Sequence, residues 1–254
     1  MTFCDNTEMK KWILLPLLLV SPLIYAKTKK RTPMIKVAIV DTGLDIHDPR
    51  FAGHICPKVG ANFVIEETLA DVNSHGTHVA GLIVRYAEDA NYCLMIYKYF
   101  RKSDMGSTSL YREVQAIKAA IDDGADIINL SEGGTAYNER EAELIRNHPE
   151  ILFVVAAGNE SLNMDIGGNE WYPASLFLPN MVVVGNKATD SELNPESNYG
   201  SKVRAFEIGT EVYSTLPGGY MGYKSGTSQA TAIRTGKIVK QVYTNLRRTY
   251  VRAN

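Results

Sequence analysis

The sequence predicts a doubly wound α/β fold, with a mostly parallel sheet and helices on both faces. Two observations carry this. From Ile35 onward, short apolar runs alternate with stretches of helical spacing, the pattern of parallel strands joined by crossover helices. The polar residues of chemical interest fall at strand ends or helix starts, and in such a sheet the site lies beyond the carboxyl ends of the strands. A length of 254 residues suits a domain of this size with a full core.

Each element has its own signal. Ile35–Val40 is an apolar run closed by the turn Asp41-Thr42-Gly43, a buried strand and its exit. Asn73 or Ser74 is placed to cap a helix whose first turn holds His75. Leu94–Tyr99 reads as the next strand. Leu110, Val114, Ile117 and Ile121 recur at helical spacing, and Gly124 ends that helix. Ile127–Leu130 is a third strand, Glu139–Asn147 a helix, Ile151–Ala157 a fourth strand and Met181–Val184 a fifth. The final helix opens at Ser228. Ala230, Ala232, Ile233, Gly236 and Val239 leave it little bulk, so it can pass through the core.

The first 32 residues read differently. Met9-Lys10-Lys11-Trp12 precedes a short apolar run to Ala26, which has the layout of a secretion signal cut after that alanine. Pro16 and Pro22 interrupt the run, which is short for a membrane span. The reading is therefore a signal peptide over 1–26, a basic arm over 27–32 and the folded domain over 33–254. Export follows, secreted or periplasmic, with an uncleaved membrane anchor as the alternative. Cys4 leaves with the signal, so Cys56 and Cys93 remain, either bridged in an oxidising compartment or two buried thiols. A net charge of −1 and no basic stripe exclude a nucleic-acid footprint.

Four short blocks carry chemistry: Asp41-Thr42-Gly43, His75-Gly76-Thr77-His78-Val79-Ala80-Gly81, Ala156-Ala157-Gly158-Asn159 and Gly226-Thr227-Ser228. Singly, each has a plain structural explanation, a turn aspartate or a helix cap. A serine at a helix mouth also gains backbone N–H groups aimed at whatever it attacks. His75 and His78 lie three apart on one helix face, with Asp71 nearby, but no His-Glu-x-x-His signature accompanies them. No metal and no cofactor is expected, and His78 is read as packed or hydrogen-bonded against the sheet.

Taken together and in this order, the four blocks resemble the subtilisin-like serine peptidases, the subtilases, over most of residues 35–240. The resemblance implies a subtilisin-like fold and a serine endopeptidase acting on polypeptide substrates. It implies Ser228 as nucleophile, His75 as general base, Asp41 orienting the imidazole, and Asn159 with the Ser228 N–H binding the oxyanion. Asn129–Gly134 resembles the strand lining the substrate cleft, which makes Ser131, Glu132 and Gly133 substrate-binding candidates. Trp171, before Tyr172-Pro173-Ala174, is a fourth and is expected to shorten the pocket. Glu132 replaces a small or apolar residue, so it either attracts a basic substrate side chain or turns to solvent.

The chain also departs from the family pattern. Ala232 stands where a proline is usual, and Pro49-Arg50-Phe51 replaces a motif with a calcium-binding aspartate. The Gly81–Leu94 connection is too short for a calcium loop, and 27–34 too short for a folding prodomain. The expectations are no strong calcium site, and a chain that folds alone or with a helper in trans. The alternative functions are a degenerate subtilase that binds peptides or a partner without cutting, and a transpeptidase.

Overall fold

The computed structural model describes residues 33–101 and 107–253, so the signal-peptide and basic-arm readings lie outside the described residues. Seven strands form one parallel sheet: β1 (Ile35–Asp41), β2 (Ile55–Asn62), β3 (Tyr92–Lys98), β4 (Ile127–Leu130), β5 (Leu152–Ala156), β6 (Met181–Lys187) and β7 (Ala205–Ile208), in the order β2-β3-β1-β4-β5-β6-β7. Two further strands, β8 (Val212–Thr215) and β9 (Met221–Lys224), pair as an antiparallel hairpin.

The strands are apolar on both faces because helices cover both. Alternate residues of β1 show the division. Val37 and Ile39 pack with α1 (His75–Ala87) and α4 (Thr227–Ala253), while Ala38 and Val40 pack with α2 (Ser107–Asp122) and α3 (Glu139–Arg146). α4 runs through the interior as its small residues require: Ala230 and Ala232 are wholly buried. Gly236 permits its close approach to α1, since a Cβ there would lie 2.7 Å from the Tyr86 Cβ and 2.8 Å from the Ile83 carbonyl oxygen.

Three features were not anticipated from sequence. β2 is an edge strand carrying Pro57, Lys58 and Gly60, half exposed and with a register shift, so it presents no apolar run. β7, at the other edge, alternates buried and more exposed residues over only four positions. The β8–β9 hairpin turns Tyr213 and Tyr223 outward, 4.8 Å apart between ring centroids. Of the two readings for the cysteines, the bridge is the one observed: Cys56 on β2 joins Cys93 on β3.

The chain runs from β1 outward to β2 and back to β3, then crosses to β4 and continues to β7 on the other side. The carboxyl ends of β1 and β4 therefore flank the point where strand order reverses, where a crevice opens in such sheets. Asp41 ends β1, and Ser131 directly follows β4.

Candidate active site

Asp41 is fully buried at the end of β1. Its carboxylate oxygens lie 2.9 and 3.0 Å from His75 Nδ1, and Oδ1 also accepts from the Thr42 N–H at 2.7 Å. A carboxylate only accepts, so Nδ1 carries the proton and Nε2 is left as a base.

His75 opens α1, and its placement depends on residues that the sequence does not advertise. Ser74 precedes the helix but sits at φ 76 with no side-chain cap. Asp71 does the capping instead. Its Oδ1 accepts from the Asn73 and Ser74 N–H groups and the Thr42 hydroxyl, and its Oδ2 accepts from the Thr77 N–H. The Thr42 hydroxyl oxygen in turn accepts from the Gly76 N–H. One buried network thus ties the helix start to the end of β1. Gly76 is needed for that closeness: a Cβ there would come 2.1 Å from the Gly43 carbonyl oxygen.

Ser228 is the second residue of α4. Its hydroxyl donates to the Ser131 carbonyl oxygen at 2.6 Å, and the Ser131 hydroxyl donates back to the Ser228 carbonyl at 3.2 Å. Asn129 secures this junction, donating to Ser131 Oγ and accepting from the Thr235 hydroxyl further along α4. Asn159 Oδ1 accepts from the Thr227 N–H at 2.8 Å, so Nδ2 is the atom it offers to the cleft. That cleft holds about 220 Å³, and its lining includes Ser131, Glu132, Gly133, Asn159, Trp171 and Ser228. The Trp171 indole reaches both walls: a Cβ on Gly133 would lie 2.7 Å from its Nε1, and one on Gly158 2.9 Å from its Cε2.

Glu132 lines the cleft rather than turning to solvent, and its Oε1 also lies 3.7 Å from His75 Nδ1. The reason is that it follows Ser131 at the end of β4, beside the end of β1. Burial by itself pushes the His75 pKa down, but the Asp41 carboxylate, by charge and by hydrogen bond, and Glu132 beside it raise it to about 9. Burial raises the Glu132 carboxyl to about 7, against the pull of His75.

In this structure Asp71 and His78 are each engaged with other groups rather than with one another. Asp71 is occupied by backbone donors, and His78 Nε2 lies against the Val212 and Gly222 carbonyl oxygens at 3.0 and 3.2 Å. Burial pushes the His78 pKa down to about 4. Among the described residues, ligand spacing picks out Asp41, His75 and Glu132, whose atoms lie within 4.8 Å of one another. The shared atom there, His75 Nδ1, is already held by Asp41. Sequence reasoning also missed Asn198, which accepts from the Glu160 and Leu162 N–H groups and donates to the Ala157 carbonyl and to Glu160. It steadies the loop bearing Asn159, and no local motif marks it.

Comparison with known proteins gives a consistent picture. The model of the subtilase family, Peptidase_S8, matches residues 33–253. The chain is 32% identical over 240 residues to an intracellular serine protease of Paenibacillus polymyxa, covering 87% of this chain and 71% of that protein. It is 31% identical over 220 residues to the major intracellular serine protease of Bacillus subtilis (strain 168), covering 80% and 67%. The solved structure of a cold adapted subtilisin-like serine proteinase matches with a TM-score of 0.71 and 26% identity, over 83% of this chain and 76% of that one.

Proposed function

The chain belongs to the subtilase family and is a serine endopeptidase of the subtilisin type, and from that premise we propose that Ser228 is its nucleophile, His75 its general base, Asp41 the residue that orients the base, and Asn159 an oxyanion donor. The observation that carries this is the Asp41–His75 pair, 2.9 Å apart at the crevice, which fixes the tautomer with Nε2 as the acceptor. To react, the Ser228 hydroxyl leaves the Ser131 carbonyl and donates to Nε2. Its oxygen bonds to the scissile carbonyl carbon as the proton passes to Nε2. The carbonyl π pair moves onto oxygen, where Asn159 Nδ2 and the Ser228 N–H receive it. The imidazolium then gives its proton to the amide nitrogen, the C–N bond breaks, and water resolves the acyl-enzyme by the same steps. A fluorophosphonate probe should label Ser228 in the wild type and fail with Ser228→Ala. Absence of labelling in the folded wild type would overturn the assignment.

The indole between Gly133 and Gly158 supports a preference for small side chains in the cleft it shortens. Trp171→Ala should widen that preference toward aromatic residues, read as a changed cleavage profile on a peptide library. For location, the Cys56–Cys93 bridge supports an oxidising compartment, as the signal-like segment does, although the two bacterial relatives are named as intracellular. Recovery of the chain from inside the cell with both thiols reduced would overturn export.

A further inference from the structure

Three glutamates converge beside the crevice: Glu132 after β4, Glu113 on α2 and Glu141 on α3. Glu113 stands one turn before Ile117 and Glu141 one turn before Ile145, and both isoleucines enter the core cluster that holds Leu130 and Tyr99. In a parallel sheet a crossover helix starts at the carboxyl end of the preceding strand. Glu113 and Glu141, near the starts of their helices, thus lie toward the end of the sheet where Glu132 sits.

Glu113 and Glu141 are withdrawn from water, and Glu132 is partly so. Glu141 is 1% exposed and Glu113 6%, and the Glu132 side chain is 25% exposed. Among the described residues, Glu141 Oε1 has no hydrogen-bond partner. Asn138 and Glu141 have the spacing of a capping box, in which the glutamate would bond back to the Asn138 N–H. Asn138 does cap α3, accepting from the Arg140 and Glu141 N–H groups, but the Glu141 carboxyl is buried without returning the bond. Among the described residues, the charges that act on Glu113 are Glu141 and Glu132, both of its own sign, and Tyr99 is faced by all three glutamates and Asp41.

Burying carboxyls of like sign, one oxygen unsatisfied, opposes folding, and apolar side chains of similar size would fill the same space at less cost. Such a feature is retained where a ligand completes it. We propose that Glu113, Glu132 and Glu141 form an anionic subsite for a lysine or arginine side chain of the polypeptide substrate, entered from the cleft past Glu132. This rests on the peptidase reading, because Glu132 lines the same cleft as Ser228. In the absence of a cation, protons take its place: burial raises all three carboxyls. An entering guanidinium gives donors to the orphaned Oε1 and displaces those protons. Its planar fork can meet two carboxylates at once, which favours arginine over lysine.

The test scans arginine, lysine and the uncharged isostere citrulline through each position flanking the scissile bond. One position should favour arginine over citrulline by about tenfold or more in kcat/KM. That ratio should fall toward one in Glu113→Gln and Glu141→Gln, with the citrulline peptide as the reference within each protein. The ratio in the wild type should also grow as pH rises from about 5 to about 8 and the carboxyls ionise. Calorimetry on Ser228→Ala supplies a readout independent of turnover: the arginine peptide should bind more tightly than the citrulline peptide and release protons to the buffer. Equal binding of the two peptides, or a preference that survives both glutamine substitutions, overturns the subsite. Failure of the wild type to label with fluorophosphonate while Ser228→Ala still prefers arginine would overturn the peptidase assignment and leave the subsite standing.

Discussion

At the scale of single residues, the unusual group is Glu132, because it adds a second negative charge near an imidazole that Asp41 already serves. A general base acts only when neutral, and two anions hold the His75 proton on up to about 9. kcat/KM should therefore fall as pH drops below that value. Glu132→Gln removes one anion, so less charge favours the imidazolium and the acid limb should move to lower pH, raising activity at neutral pH. A limb that stays in place in Glu132→Gln would separate Glu132 from the base. Asn159 makes a different kind of contribution, since its Nδ2 meets charge that exists only in the transition state. Asn159→Ala should lower kcat by about a hundred- to a thousandfold with little change in KM, a magnitude measured in subtilisin itself rather than derived from this geometry. An effect confined to KM would assign Asn159 to substrate binding instead.

At the scale of elements, the site depends on where β1, β4, α1 and α4 end, and those ends were legible in sequence because turn and helix-start residues mark them. Asp41-Thr42-Gly43 and Gly226-Thr227-Ser228 announce both a backbone change and a functional group. Asp71 was not legible as a cap: it stands three residues ahead of the expected Ser74, and only the fold brings Thr42 to it. Glu113 and Glu141 were hidden for the opposite reason, since a glutamate on an amphipathic helix ordinarily faces water. β2 was hidden by its edge position, and it is the strand that the Cys56–Cys93 bridge ties to the sheet. The two cysteines are 37 residues apart in sequence, and closing a loop of that length stabilises the fold by about 4 kcal/mol through the entropy of the unfolded chain. Cys56→Ser with Cys93→Ser should lower the denaturation free energy by roughly that amount. A change below about 1 kcal/mol would mean that β2 holds its place by strand pairing alone.

At the scale of the whole molecule, the pH that frees the base and the pH that favours the fold lie on opposite sides of neutrality. Glu113, Glu132 and Glu141 have folded-state pKa values raised above the ordinary carboxylate value. Their stabilising share is present below that value, and it is lost as pH rises through their folded values, which for Glu132 and Glu141 lie at about 7. His75, also raised, loses its share between its ordinary value and about 9. His78 acts in the other direction. Its folded pKa is depressed to about 4, so its share is present above its ordinary value and is lost as pH falls toward 4. Above its ordinary value His78 adds no slope; Glu132 and Glu141 finish losing their share near 7, and His75 continues to lose its share up to about 9. The melting temperature should therefore decline from about pH 6.5 to about pH 9, while the intrinsic reactivity of His75 climbs over the same interval. Replacing Glu113 and Glu141 with glutamine should flatten the decline by removing two of the groups that drive it. A bound arginine peptide should flatten it as well, because a guanidinium among the carboxylates compensates the charge that rising pH exposes. A decline equally steep in wild type, double variant and peptide complex would place its origin elsewhere in the molecule and remove the glutamate cluster from the pH response.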